Sequence, residues 1–296
     1  MFTHKIPQIS VLSGKGGTGK TTLTASFSAL GPEKVIADCD VDAANLHIVL
    51  KAQDKETIDF PGAKVAVRDP EKCQKLGECE RVCRFDAITV DSISHTKCEG
   101  CGMCVLACPN QALRLEPYVC GQYYVAETSY GPLVHAHLFA GAENSGRLVT
   151  QVRKKAEDIA LADGAELILI DGPPGIGCTA NAAMADVDLV LVVTEPTLSA
   201  VHDAHRLLEL VGHFGIPAAV FINKWDINPA VTAQIEQMAN YFRATIVGRM
   251  AYEEIVPHSI AEATPLVKYA PDSPAAKAIC EAWARVLDLC GSAQRA

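Results

Sequence analysis

The sequence has no long hydrophobic run. Apolar stretches such as Leu167–Ile170 and Leu189–Val193 are far too short to cross a bilayer, and Met1–Pro7 lacks the apolar core of a secretory signal. We therefore expect a cytoplasmic protein without a membrane span. An excess of positive charge is also missing, since 26 Lys and Arg face 35 Asp and Glu for a formal net charge of -9. This balance disfavours a protein that coats nucleic acid.

Alternating strand and helix patterns fill most of the 296 residues, 49% of which are apolar. Short apolar runs predict strands, and amphipathic stretches between them predict helices. The alternation predicts an α/β fold with a mostly parallel sheet flanked by helices, whose ligands bind beyond the carboxyl ends of the strands. The predicted strands are Gln8–Leu12, Val35–Ala37, Leu167–Ile170, Leu189–Val193 and Ala218–Ile222, and the main predicted helices are Lys20–Leu30, Ser145–Ala162, Ser199–Phe214, Pro229–Phe242 and Pro274–Leu289.

Cysteine, in contrast, is abundant, with 12 residues. A reducing compartment favours metal ligands or buried thiols over disulfides. Seven of the cysteines form an internal repeat, because adding 25 to Cys73, Cys79 and Cys83 gives Cys98, Cys104 and Cys108. The same offset places Leu76 opposite Cys101, so the first copy has one ligand fewer.

The second copy has the spacing of an iron-sulfur site. Cys98, Cys101 and Cys104, completed by Cys83, match the crossed ligation of bacterial two-cluster ferredoxins, and Cys108 is followed by proline as in those proteins. The pattern predicts a 4Fe-4S cluster. Structural zinc is the alternative, since paired C-x2-C motifs also suit tetrahedral zinc.

The first copy retains Cys73, Cys79 and Cys108 beside Leu76. Three thiolates are compatible with a 3Fe-4S cluster, with a cubane completed by an outside ligand, or with a remnant that holds nothing. Cys120 is the nearest spare thiol, but its spacing does not argue that it completes the site.

A glycine-rich loop follows the first predicted strand and opens the first predicted helix, which is the setting of a P-loop. The glycines let backbone N–H groups approach phosphate oxygens, Lys20 neutralises β- and γ-phosphate charge, and Thr21 offers a hydroxyl to Mg²⁺. The predicted nucleotide-binding residues of this loop are Gly14, Lys15, Gly16, Gly17, Thr18, Gly19, Lys20, Thr21 and Thr22.

Lys15 makes this loop resemble the deviant Walker A motif of the MinD/ParA/nitrogenase-iron-protein class of ATPases. The resemblance implies that Lys15 reaches the nucleotide of a second subunit. It extends to the segment Asp38–Asp42, which is similar to switch I, with Asp38 near the metal and Asp40 orienting the attacking water. The strand end at Asp171 resembles Walker B and implies a third Mg²⁺-site residue. Asp42 is predicted to cap a helix over Ala43–Leu50.

Base choice depends on the segment Asn223–Asp226. Alone it reads as the N-K-x-D guanine motif and favours GTP. The resemblance instead implies ATP, with Asn223 reading the adenine edge, although Ala251 stands where relatives often carry proline. Cys178, seven residues after Asp171, matches one cysteine of the bridging cluster of the nitrogenase iron protein, but no second cysteine is clearly placed.

Together these features resemble MinD-superfamily P-loop ATPases with an inserted ferredoxin domain. We expect residues 1–63 and 117–296 to form the ATPase domain and residues 64–116 the iron-sulfur insert. The resemblance implies slow, partner-stimulated ATP hydrolysis, a homodimer or paired paralogue on ATP binding, and electron transfer with a redox protein whose identity the sequence does not give. A cluster-assembly scaffold and a redox-sensing spatial regulator are the alternative functions.

Overall fold

The computed structural model describes residues 6–142 and 144–293, so the first five residues of the Met1–Pro7 stretch lie outside the described residues. Eleven strands and eleven helices are assigned in this part of the chain. The strands are β1 Gln8–Ser13, β2 Lys34–Asp38, β3 Gln53–Phe60, β4 Ala63–Arg68, β5 Leu113–Tyr118, β6 Gly121–Thr128, β7 Gly131–Leu138, β8 Leu167–Pro174, β9 Leu189–Thr194, β10 Ala218–Asn223 and β11 Thr245–Met250. The helices are α1 Lys20–Ser28, α2 Leu46–Val49, α3 Glu78–Val82, α4 Met103–Ala107, α5 Ser145–Asp163, α6 Cys178–Met184, α7 Leu198–His213, α8 Pro229–Tyr241, α9 Ile255–Ala261, α10 Leu266–Tyr269 and α11 Pro274–Ala293.

A nine-stranded sheet runs in the order β11-β10-β9-β1-β8-β2-β7-β6-β3. The pairs from β11 through β7 are parallel, which confirms the predicted architecture. Strands β1 and β9 are buried along their whole length, as parallel strands covered by helices on both faces require. Because β1, β2 and β8 are neighbours, the residues at their carboxyl ends come together at one edge of the sheet.

Helix α11 closes the core against the first βα unit. The Trp283 ring stacks on Phe27 of α1 with ring centroids 4.5 Å apart, and its indole N–H donates to the Gly31 carbonyl oxygen at 2.6 Å. Both side chains are buried in the main apolar cluster. This packing fixes α1, which begins at Lys20 directly after the glycine-rich loop.

The chain divides into two compact units. The large unit contains residues up to Thr57, Tyr124–Ala136 and the residues from Ser145 onward. The small unit contains Ile58–Tyr123 and His137–Asn144, and therefore all seven repeat cysteines. The predicted domain boundaries at residues 64 and 116 remain a prediction.

The small unit repeats its backbone as well as its sequence. Helices α3 and α4 both have five residues, start 25 positions apart, and follow a left-handed glycine, Gly77 with φ 83° and Gly102 with φ 77°. Gly100 also has positive φ, and a Cβ there would overlap the Lys64 carbonyl oxygen, so this position requires glycine. Strands β4 and β5 pair antiparallel beside the helices.

The prediction for Asp42 is wrong. Helix α2 starts at Leu46 instead of Ala43, and Asp42 does not cap it. The Leu46 N–H is satisfied instead by the buried carboxylate of Asp38, at 3.1 Å. The Asp38 carboxylate at the end of β2 therefore takes the place of the predicted cap. Among the described residues, no helix combines the length and the apolar character needed to cross a membrane.

Candidate functional site

The glycine-rich loop joins buried strand β1 to α1 in a conformation that only glycine adopts easily. Gly17 and Gly19 have φ values of 80° and 90°. A Cβ on Gly14 would overlap Asp203, and one on Gly19 would overlap the Asn223 side chain. The loop therefore turns tightly and leads into the N-terminal end of α1, where backbone N–H groups are available to an anion.

A buried ion pair lies directly under the loop. The Lys20 ammonium is 3.1 Å from Asp171 Oδ1, and their side chains are 7% and 0% exposed. Burial lowers the pKa of Lys20, but Asp171, Asp40 and Asp38 more than offset this and the net pKa is raised. Lys20 is therefore held as a cation beside the carboxyl end of β8.

Asp171 also accepts two hydroxyl hydrogen bonds. Thr21 Oγ1 donates to Oδ2 at 2.8 Å, and Thr24 Oγ1 donates to Oδ1 at 2.9 Å. The sequence analysis identified Thr21 but missed Thr24. Its position one helical turn after Lys20 and Thr21 on α1 is the signal that places it on the same face.

Asp38 lies opposite Asp171 on the neighbouring strand β2, where the two are register partners. Its oxygens accept the N–H groups of Asp40 and Leu46, both at 3.1 Å. Burial, reinforced by the Asp171 carboxylate, raises the pKa of Asp38 to about 7. Asp38 is thus poised to ionise when a cation arrives between the two carboxylates.

Asp40 is the more accessible acid of this group. Its Oδ2 lies 4.0 Å from the Lys20 ammonium. Burial raises the pKa of Asp40, and the charge of Lys20 opposes that rise. The Asp40 carboxylate therefore lies beside Lys20 with 18% of its side chain exposed.

These residues suit a magnesium-nucleotide complex. Mg²⁺ prefers one or two carboxylates together with hydroxyl, water and phosphate oxygens. Thr21, Asp38 and Asp171 supply donors of that kind at one sheet edge. Among the described residues, no three His, Cys, Asp or Glu side chains converge as a ready-made site for a single ion. A magnesium ion that is completed by phosphate oxygens does not require such a group.

Lys15 points away from Lys20 and is held by residues that follow β9. Its ammonium is 2.9 Å from Glu195 Oε1, 3.1 Å from Thr197 Oγ1 and 3.3 Å from Ser199 Oγ. Lys224 contacts the other Glu195 oxygen at 3.0 Å. Burial acts to raise the pKa of Glu195, but the hydrogen bonds from the two lysines outweigh it and lower the pKa. The sequence analysis did not assign Glu195 a role.

Asn223, at the end of β10, ties the loop from the other side. Its Nδ2 donates to the Thr18 carbonyl oxygen at 2.8 Å, while its Oδ1 is buried without a hydrogen-bond partner. Asp226, the last residue of the N-K-x-D pattern, accepts the Tyr252 N–H at 2.8 Å. Gly16 has no side chain to offer a nucleotide. The Thr22 carbonyl oxygen accepts a hydrogen bond from Ser26 Oγ at 3.0 Å.

In the small unit, the repeat cysteines line two cavities. The four-cysteine cavity is bounded by Cys83, Cys98, Cys101 and Cys104 and has a volume of about 370 Å³, counting space open to solvent. Burial raises the pKa of Cys104, and the neighbouring Cys98 and Cys101 raise it further, as expected of thiols that line one cavity. The geometry therefore groups the four predicted ligands.

Backbone N–H groups point at the sulfurs of this cavity. Ala66 donates to Cys98 Sγ and Ala87 donates to Cys83 Sγ, both at 3.4 Å. Such hydrogen bonds stabilise thiolates and tune iron-sulfur centres. A four-iron cluster takes one thiolate per iron, so it does not need three side chains on one ion. The residues present fit a 4Fe-4S cluster.

The three-cysteine cavity is bounded by Cys73, Cys79 and Cys108, with Leu76 and Arg68 in its wall, and has a volume of about 380 Å³ counted in the same way. Cys120 does not line it. That thiol is buried and donates to the Phe60 carbonyl oxygen at 3.7 Å. Cys178 is exposed at the start of α6, in the large unit.

This chain is similar to a known family of nucleotide-binding proteins. The model of the CobQ/CobB/MinD/ParA nucleotide binding domain family matches residues 9–266. An uncharacterized protein of Methanocaldococcus jannaschii is 36% identical over 227 residues, covering 75% of this chain and 80% of that protein. An uncharacterized ATP-binding protein of the same organism is 24% identical over 97% of this chain and 90% of its own length.

Among solved structures, the septum site-determining protein MinD of Pyrococcus horikoshii, complexed with Mg-ADP, is similar with a TM-score of 0.60. It is 20% identical, and the match covers 97% of this chain and 98% of that chain. At this identity the likeness shows the fold.

Titration of Asp38 gives a testable prediction for the protein without nucleotide and Mg²⁺. The folded pKa of about 7 lies above that of an unfolded aspartate, about 3.9, so the folded state binds the extra proton between these values. The free energy of unfolding should therefore fall as pH rises through this window. In Asp38→Asn this component is absent, so the stability of the variant relative to wild type should rise with pH between about pH 4 and about pH 7.

Urea unfolding of both proteins across this range measures the difference. Asp42→Asn is the control, because Asp42 is exposed and its replacement should leave the pH profile unchanged. Parallel profiles for wild type and Asp38→Asn would contradict the assignment of the proton to Asp38.

Proposed function

The chain belongs to the CobQ/CobB/MinD/ParA nucleotide-binding family and is a P-loop ATPase, and on that premise we propose that it is an ATP-dependent dimerisation switch that controls electron transfer through a bound iron-sulfur cluster. The observation that carries the nucleotide half is the convergence of Lys20, Thr21, Asp38, Asp40 and Asp171 at one sheet edge. The observation that carries the redox half is the four-cysteine cavity. We place this activity in the cytoplasm, where the twelve cysteines would stay reduced.

In the proposed cycle, Lys20 exchanges its bond to Asp171 for the β- and γ-phosphates of ATP. Asp171 and Thr21 would then hold Mg²⁺, and Asp38 would lie beside the ion. The ion supplies charge neutralisation of the phosphates. Support for this exchange comes from Lys20, which is buried, cationic and adjacent to the loop whose N–H groups would receive phosphate.

Asp40 would orient the attacking water. Phosphoryl transfer needs a positioned nucleophile more than covalent help from the protein. Of the acids beside Lys20, Asp40 is the one whose carboxylate is still partly exposed, with 18% of its side chain accessible. That exposure is what a water-positioning group needs.

Lys15 would be the contact between subunits, in a homodimer or with a paired paralogue. In the single chain its ammonium is neutralised by Glu195. Lys15 would have to leave Glu195 before it could reach the nucleotide of a second subunit. The ion pair would therefore oppose dimerisation until ATP is bound. Phosphate charge on the partner is the stronger attraction for the same ammonium.

We assign ATP rather than GTP as the nucleotide. Asn223 lies against the loop with an unpartnered buried Oδ1, an acceptor that suits the exocyclic amine of adenine. The Asp226 carboxylate, which guanine recognition would require, already accepts the Tyr252 N–H. An ATP-binding relative of 24% identity supports the same choice.

The four-cysteine cavity would hold a 4Fe-4S cluster, and a separate redox protein would exchange electrons with it. When bound, the cluster supplies a one-electron centre. Cys83, Cys98, Cys101 and Cys104 would each ligate one iron, with the N–H groups of Ala66 and Ala87 stabilising the sulfur charge. Nucleotide-dependent movement of the segments containing Asp38–Asp42 and Asp171 would then control access to the cluster.

Replacing the water-positioning acid should stop hydrolysis and spare binding. Asp40→Asn keeps the size of the side chain but removes its basicity, so we expect kcat to fall by roughly 10²-fold or more while the Kd for Mg-ATP changes little. Steady-state ATPase assays and calorimetry measure the two quantities. Asp42→Asn is the matched control and should retain the wild-type rate. A rate near wild type for Asp40→Asn would remove Asp40 from the mechanism.

Dimerisation should depend on Lys15 and Glu195 in opposite directions. In the Asp40→Asn background, Mg-ATP should produce a dimer that light scattering after gel filtration detects. Adding Lys15→Ala should abolish the dimer, because the subunit contact to phosphate is lost. Adding Glu195→Gln should lower the ATP concentration needed for dimerisation by up to about fivefold, the value of a partly exposed ion pair. ATP-dependent dimers of normal affinity in the Lys15→Ala protein would exclude the proposed contact.

A further inference from the structure

The two cysteine cavities are structural copies, which allows each position of one to be compared with its counterpart in the other. Ala87 donates its N–H to Cys83 Sγ at 3.4 Å, and Ala112, 25 residues later, donates to Cys108 Sγ at 3.3 Å. Asp86 and Gln111, separated by the same offset, have φ values of 48° and 50°. The backbone therefore preserves both sites to the level of single hydrogen bonds.

The three-cysteine cavity has kept its size although it has lost a ligand. Its volume of about 380 Å³ matches the value of about 370 Å³ for the four-cysteine cavity. Leu76 stands at the position of Cys101, and its side chain is 57% exposed instead of filling the cavity.

Charge distinguishes the two cavities. Arg68 and Ile93 occupy equivalent positions of the 25-residue repeat. Arg68 pairs antiparallel with Leu113, and Ile93 pairs antiparallel with Ile88, the repeat counterpart of Leu113. The complete site thus has an apolar residue where the three-cysteine cavity has a guanidinium. Lys75 likewise replaces Gly100 in the cavity wall.

The Arg68 guanidinium is anchored toward the sulfurs. Its Nη1 donates to the Val90 carbonyl oxygen at 2.7 Å, and its Nη2 donates to the Thr89 carbonyl oxygen and reaches Cys79 Sγ at 4.0 Å. Its Nε is buried without a hydrogen-bond partner. A fixed cation beside Cys79 would offset the negative charge of a cluster bound in this cavity.

We propose that the three-cysteine cavity holds a 3Fe-4S cluster with one thiolate per iron from Cys73, Cys79 and Cys108, and that Arg68 raises its reduction potential above that of the 4Fe-4S cluster. Leu76 denies the cavity the fourth thiolate that Cys101 supplies in the other copy. A nearby cation favours the reduced, more negative cluster, which is the reason for the direction of the potential. This inference rests on the proposed function, because it presumes that the small unit carries iron.

The full chain, purified without oxygen, should contain about seven irons per molecule, from one four-iron and one three-iron cluster. Three ferric ions have an odd number of electrons, so the oxidised protein should show an EPR signal. An oxidised 4Fe-4S cluster has an even number and should not. Leu76→Cys should raise the count to about eight irons and remove the oxidised signal.

Two controls separate the ligand effect from a folding effect. Leu76→Ala perturbs the same position without adding a thiolate and should keep about seven irons and the signal. Cys101→Leu imposes the three-cysteine pattern on the other copy and should increase the oxidised signal roughly twofold, with about six irons. In redox titrations followed by EPR, Arg68→Gln should shift the three-iron potential downward, whereas the exposed Lys75→Gln should shift it less.

The outcomes distinguish this inference from the function on which it rests. About four irons without an oxidised signal would overturn the inference and leave the complete cluster intact. About eight irons in the wild type would show a four-iron cluster completed by another ligand and would also overturn it. Protein without iron would refute the proposed function itself. An unchanged potential in Arg68→Gln would remove Arg68 from the proposal.

Discussion

The buried ion pair between Lys20 and Asp171 is the constraint on which the nucleotide site depends. A lone charge at either position would be very costly, since the side chains are only 7% and 0% exposed. The pair is satisfied by the hydroxyls of Thr21 and Thr24, so α1 is held in register with β8. Buried ion pairs are weak evidence for stability, and the proposed function gives this one another role, in which phosphate would replace Asp171 beside Lys20 and Mg²⁺ would replace Lys20 beside Asp171.

The second lysine of the loop, Lys15, also forms an ion pair with a carboxylate that is distant in sequence. Lys15 rests on Glu195, as Lys20 rests on Asp171, and the proposed cycle requires a nucleotide to displace both contacts. Each lysine of the loop is therefore paired with a carboxylate before ATP binds, although Glu195 also pairs with Lys224.

Much of this arrangement could be predicted from the sequence. The strand–glycine loop–helix pattern placed the loop and Lys20, and the crossed ligation of two-cluster ferredoxins placed the cysteines into the two sets that line separate cavities. The features that the sequence did not predict depend on contacts between different elements of the fold. Glu195 lies far from Lys15 in sequence, and Asp38, rather than the local Asp42, satisfies the start of α2. Local capping rules fail where a buried carboxylate from a neighbouring strand competes for the same N–H group.

The proposed function requires that nucleotide binding and the cluster influence each other within one chain. Its most direct test is the reduction potential of the four-cysteine cluster in the Asp40→Asn protein, titrated by EPR with Mg-ATP and then with Mg-ADP. We predict two different potentials, because the switch segments should adopt different positions with the two nucleotides. Identical potentials, with both nucleotides shown to be bound, would contradict coupling.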